Sequence, residues 1–115
     1  MHGVYLYPCP YDNVNLSRLL YLKKHTSRFG YSGHALGIWD AVAAISIGAE
    51  VVEKHFTIDN NLDFKDNKFS ILPEDLASIR NFSELFSKMN IECGLDFQEK
   101  EKEIRETYFG RWDCI

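Results

Sequence analysis

Apolar positions along this chain fall into two alternating kinds of run. Short stretches rich in β-branched and aromatic residues occupy 3–7 (GVYLY), 29–32 (FGYS) and 50–58 (EVVEKHFTI), and each predicts a strand. The first strand stops at Pro8 and Pro10, which cannot donate to a ladder. Between the strands lie helical patterns. Leu16, Leu19, Leu20 and Leu22 follow a cap at Asn13 or Asn15 and end in Lys23, Lys24 and His25, where positive charge suits the helix dipole. Residues 38–47 (IWDAVAAISI) are apolar nearly all round, which predicts a helix buried between neighbours and closed by Gly48. A polar loop, 59–70, leads to Pro73-Glu74-Asp75, a good first turn. Leu76, Ile79, Phe82, Leu85, Phe86 and Met89 then form a one-sided stripe at helical spacing. The more polar tail predicts a short helix over 98–106 and an aromatic patch at Tyr108, Phe109 and Trp112.

Strand and helix alternate three times with short links. That order implies an α/β fold with parallel strands and right-handed crossovers. The 115 residues allow one small domain, and 45% apolar residues suffice for a core. Thirteen Lys and Arg against 17 Asp and Glu give a formal charge of −4, which argues against nucleic acid as a partner. No apolar run approaches a membrane span, and no signal-peptide layout opens the chain. Cys9, Cys93 and Cys114 are odd in number and scattered, which suits a reducing cytoplasm.

Ligands of parallel α/β folds bind beyond the C-terminal strand ends, where Tyr7, Ser32, His34, Glu53 and His55 gather. Alternation puts Glu53, His55 and Thr57 on one strand face, with Val52, Lys54 and Phe56 on the other. A face of Glu, His and Thr suits a polar cavity, or else a hydrogen-bonded core pair of His55 and Glu53. His34 is either a turn residue or, with His2, one of two ligands to a divalent ion. His25 reads as an exposed helix-end residue. No Walker sequence, dinucleotide fingerprint or H-E-x-x-H is present.

The runs Tyr7-Pro8-Cys9-Pro10, Gly30-Tyr31-Ser32-Gly33-His34, Ala35-Leu36-Gly37-Ile38, Glu53-Lys54-His55-Phe56-Thr57 and Asp66-Asn67-Lys68-Phe69-Ser70 occur in that order. Together they resemble the sialic acid synthase family, the N-acetylneuraminate and related nonulosonate synthases. The resemblance implies the last three βα units of a (β/α)8 TIM barrel over residues 1–90, with 91–115 as a C-terminal extension and no antifreeze-like domain. It implies condensation of phosphoenolpyruvate with an N-acetylmannosamine-like amino sugar, with release of phosphate. It implies a divalent metal, Mn²⁺ or Mg²⁺, on His2 and His34, whose ring nitrogens should stand about 3 to 4 Å apart for ligands about 2.1 Å from the ion. Glu53 and His55 are then the candidate catalytic residues, and Tyr7, Ser32, Asp66 and Ser70 the candidate substrate contacts. Members of the family are often homodimers.

The chain departs from the family's usual wording at Cys9, for Thr in Y-P-T-P, at Gly33-His34-Ala35, for D-H-T in S-D-H-T, and at Asn67, for His in D-H-x-x-S. These departures point to the alternative reading, a non-catalytic interaction or structural module on a degenerate barrel, which metal binding would separate from the first. A complete barrel takes about 250 residues and eight strands. The expectation is therefore a truncated product or half of a split enzyme, inactive alone and completed by an upstream half-barrel chain.

Overall fold

In the computed structural model, residues 1–109 are described, so Trp112 of the aromatic patch and Cys114 lie outside the described residues. The strands are β1 (His2–Gly3), β2 (Gly30–Gly33) and β3 (Val51–Lys54). They pair in parallel in the order β1-β2-β3, with His2 opposite Tyr31, Gly3 opposite Ser32, and Ser32 opposite Glu53. Helices α1 (Ser17–His25) and α2 (Trp39–Ile47) join the strands. Helix α3 (Pro73–Met89) follows the 59–70 loop, and α4 (Glu99–Tyr108) lies beyond it. This is the predicted α/β order of three parallel βα units. Among the described residues β1 and β3 are the sheet's two edges, and no helix is long and apolar enough to cross a membrane.

The strands are shorter than their apolar runs. Tyr5, Leu6 and Tyr7 leave the sheet after Gly3 and are exposed, and beyond Lys54 the chain keeps one parallel bridge, Phe56 to Ile71. Neither Asn13 nor Asn15 caps α1 as expected. Asn15 turns through the left-handed region at φ 53° and accepts a hydrogen bond from Ser17 Oγ, while Leu16 holds the cap position.

The core lies on the helical side of the sheet. Cys9, Val14, Leu19, Phe29, Tyr31, Ala35 and Ala44 form its main cluster, and Ala41, Ile71 and Ile79 a second beneath α3. Helix α2 is not buried all round, as its composition predicts. Asp40, Ala41 and Ala44 face the sheet, whereas Trp39 is 67% exposed. Composition tells that a helix is apolar but not how many of its sides find neighbours. Gly48 closes α2 at φ 111°, its N–H donating to Ala44 and Ile45, and Lys23 of α1 donates to the Ile47 carbonyl there. Helix α3 opens as expected at Pro73, with Asp75 accepting the Leu72 N–H.

Candidate functional site

Side-chain parity in the sheet decides which residues can meet. Gly3, Ser32, Glu53 and His55 point away from the helices, while Tyr31, Val52 and Lys54 point towards them. On the side away from the helices lies an open cavity of about 290 Å³ at the strand ends, lined by Met1, Gly3, Tyr5, Tyr7, Ser32, His34, Glu53 and His55. Five of the predicted site residues thus come together: Tyr7, Ser32, His34, Glu53 and His55.

Within the cavity the rings of His34 and His55 stand 5.6 Å apart, centre to centre. Tyr7 touches both, at 4.4 Å from His34 and edge-on at 5.8 Å from His55. His34 is 8% exposed and its Nδ1 lies 2.8 Å from the Val4 carbonyl. A carbonyl only accepts, so Nδ1 carries a proton, and in the neutral imidazole the lone pair is on Nε2. A carbonyl bonded to one ring nitrogen orients the ring and readies the other nitrogen for a metal. Ser32 Oγ donates to Glu53 Oε1 at 2.7 Å across the β2–β3 pair, which leaves the other carboxylate oxygen to the cavity.

His2 does not join them. It is 5% exposed, lies opposite Tyr31, with which its ring makes a 6.0 Å contact, and its Nε2 bonds the Val14 carbonyl at 2.9 Å. It therefore sits on the helix-facing side, and the expected convergence of His2 with His34 is corrected. The physical reason is parity: Gly3, one residue on, takes the cavity-facing position of β1. Asp66 and Ser70 do not line the cavity either. They belong to the 59–70 loop, where Ser70 Oγ donates to the Asp66 carbonyl and Asn67 clasps the carbonyls of Asp59 and Leu62. His25 lies at the end of α1 against Tyr21, away from this cavity.

A two-histidine donor set fits a divalent ion only if oxygen ligands complete the shell. Among the described residues no three of His, Cys, Asp and Glu converge on one point. Substrate oxygens and water would have to supply the remainder. A larger hollow of about 750 Å³ near α4 is lined by Asp96, Phe97, Lys102, Arg105, Glu106 and Phe109, with Arg105 stacked on Phe97. Among the described residues that line it there is neither a histidine nor a cysteine.

Behind the cavity lies a buried polar cluster that sequence reasoning missed. Lys54 Nζ donates to Asp40 Oδ1 at 2.8 Å and to the Ala35 and Gly37 carbonyls at 2.7 and 2.8 Å, while Tyr31 OH donates to Asp40 Oδ2 at 2.9 Å. A lone acid within the apolar α2 run was the signal. Burial pushes the Tyr31 phenol far above its ordinary range, and the Asp40 carboxylate adds to that. Burial likewise raises the Cys9 thiol, with Asp40 and Asp12 adding to it.

The sequence profile of the NeuB family matches residues 1–91. The N,N'-diacetyllegionaminic acid synthase of Campylobacter jejuni is 42% identical over 80 residues, which are 69% of this chain and 24% of that protein. The N-acetylneuraminate-9-phosphate synthase of Drosophila melanogaster is 35% identical over 81 residues, 69% of this chain and 22% of that protein. The chain thus spans about a quarter of the length of these relatives. Among solved structures, the N-acetylneuraminic acid synthetase of Leptospira borgpetersenii, in complex with citrate, superposes with a TM-score of 0.78 at 34% identity. The match covers 91% of this chain and 37% of that one. The shared fold is that of the βα units of a TIM-barrel enzyme.

Proposed function

This chain belongs to the NeuB family, and from that premise we propose that it carries strand-end residues of a nonulosonate synthase. The reaction is condensation of phosphoenolpyruvate with the open-chain aldehyde of an N-acetylmannosamine-like amino sugar. The enol carbon C3 bonds to the aldehyde carbon, water adds at C2, and phosphate leaves by C–O cleavage. The observation that carries this reading is the gathering of His34, His55, Glu53 and Ser32 in one cavity at the C-terminal strand ends.

His34 and His55, rather than His2, would hold the divalent ion, Mn²⁺ or Mg²⁺. When bound, such an ion polarises the aldehyde oxygen as a Lewis acid. His34 offers Nε2 because Val4 fixes its other nitrogen. Glu53, steadied by Ser32, has one carboxylate oxygen free to take a proton from the water that adds. Tyr7 lies against both imidazoles.

The test is phosphate release from phosphoenolpyruvate in the presence of N-acetylmannosamine and Mn²⁺, with the chain alone and with a half-barrel chain added to meet the β1 and β3 edges. Sugar-dependent release that falls at least a hundredfold in His55→Ala supports the reading, since general acid–base groups contribute about 10²–10⁴-fold. Absence of sugar-dependent release under both conditions overturns it.

A further inference from the structure

Gly33 and Lys54 each immediately precede one of the two cavity histidines, and both face the buried carboxylate of Asp40. A Cβ placed on Gly33 would lie 2.5 Å from Asp40 Oδ2 and 2.8 Å from a Tyr31 ring carbon. The Asp40 carboxylate therefore occupies the space into which a side chain at position 33 would project. The Lys54 side chain is 3% exposed and that of Asp40 fully buried, so neither charge has water to fall back on. An ammonium in such a place needs an anionic partner.

We infer that Asp40 is the positioning residue of the His34–His55 cavity, supplying from α2 a carboxylate that could equally be supplied from position 33, but not from both. The Lys54 ammonium ties three groups at once: the Asp40 carboxylate and the Ala35 and Gly37 carbonyls of the loop that carries His34. Lys54 is also the last residue of β3, directly before His55. The Cys9 N–H donates to the His34 carbonyl at 2.9 Å and fixes the loop from its other side. Without a carboxylate at 40, Lys54 keeps only neutral carbonyls and the Tyr31 hydroxyl loses its acceptor. With carboxylates at both 33 and 40, two like charges would crowd one dry site that holds a single ammonium. The inference rests on the reading that His34 and His55 form one site.

The experiment is a mutant cycle of Asp40→Ala, Gly33→Asp and the double variant, in the full chain. Three readouts are followed: the urea midpoint, the His34 and His55 imidazole ¹³C resonances, and the affinity for Mn²⁺ alone. Each single change should lower the midpoint and move both imidazole resonances. Asp40→Ala should weaken Mn²⁺ about tenfold or more, because the loop that carries His34 loses the ion pair that holds it. The double variant should exceed both singles in midpoint and return the resonances and the affinity towards the parental values. A double variant no better than its worse parent overturns the inference. Asp40→Asn retains the shape without the charge and serves if Asp40→Ala fails to fold; unchanged imidazole resonances in it would also overturn the inference. Should the parent bind no Mn²⁺ at His34 and His55, the metal reading falls while the urea cycle still decides the carboxylate exchange.

Discussion

The rings of His34 and His55 face one cavity at 5.6 Å, centre to centre, although 21 positions of sequence separate them. Neighbouring parallel strands bring them together: His34 follows the last residue of β2, His55 the last residue of β3, and Gly33 pairs with Lys54. Equal offsets from paired residues place the two imidazoles side by side. A pair so placed can share one ion, because both rings leave the sheet on the same face.

His2 separates a structural histidine from a site histidine. His2→Ala removes the partner of the buried Val14 carbonyl and should cost about 1–3 kcal/mol of stability. Its Mn²⁺ affinity should match the parent's. Urea unfolding and a Mn²⁺ titration of the same variant check both halves, and a lost affinity at unchanged stability would reverse the assignment.

Tyr31 predicts a pH dependence. Its folded-state pKa is raised, first by burial and then by Asp40, above the value of about 10 for an unfolded chain. Its contribution to stability is therefore complete below about pH 10 and declines as the pH rises further, because unfolded chains lose the proton first. Unfolding midpoints recorded from pH 8 upwards should fall beyond pH 10 more steeply in the parent than in Tyr31→Phe. Equal slopes would contradict the buried phenol–carboxylate bond.

Gly48 sits at φ 111°, where a Cβ is strained, and its N–H closes α2. Gly48→Ala should destabilise by about 1–2 kcal/mol, the cost of a left-handed residue with a side chain. A thermal midpoint unchanged from the parent's would contradict the left-handed cap.

Much of this was legible from periodicity. The stripe from Leu76 to Met89 gave α3, and the alternation of Val52, Glu53, Lys54 and His55 placed Glu53 and His55 away from the helices. Register was not legible. A two-residue strand such as β1 has no pattern of its own to show whether His2 or Gly3 faces the cavity, and the pairing with Tyr31 and Ser32 decides it. The Lys54–Asp40 pair was half legible. Alternation turned Lys54 towards the helices, but its partner lay 14 positions back in a run that reads as uniformly apolar.

The measurement closest to the central claim is a Mn²⁺ titration of histidine-labelled protein, followed by paramagnetic broadening of the four imidazole resonances. The account predicts that His34 and His55 broaden first and together, while His2, turned into the core, and His25, at the end of α1, persist to higher metal concentration. Broadening of His34 with His2 and not with His55, or no selective broadening at all, would contradict it.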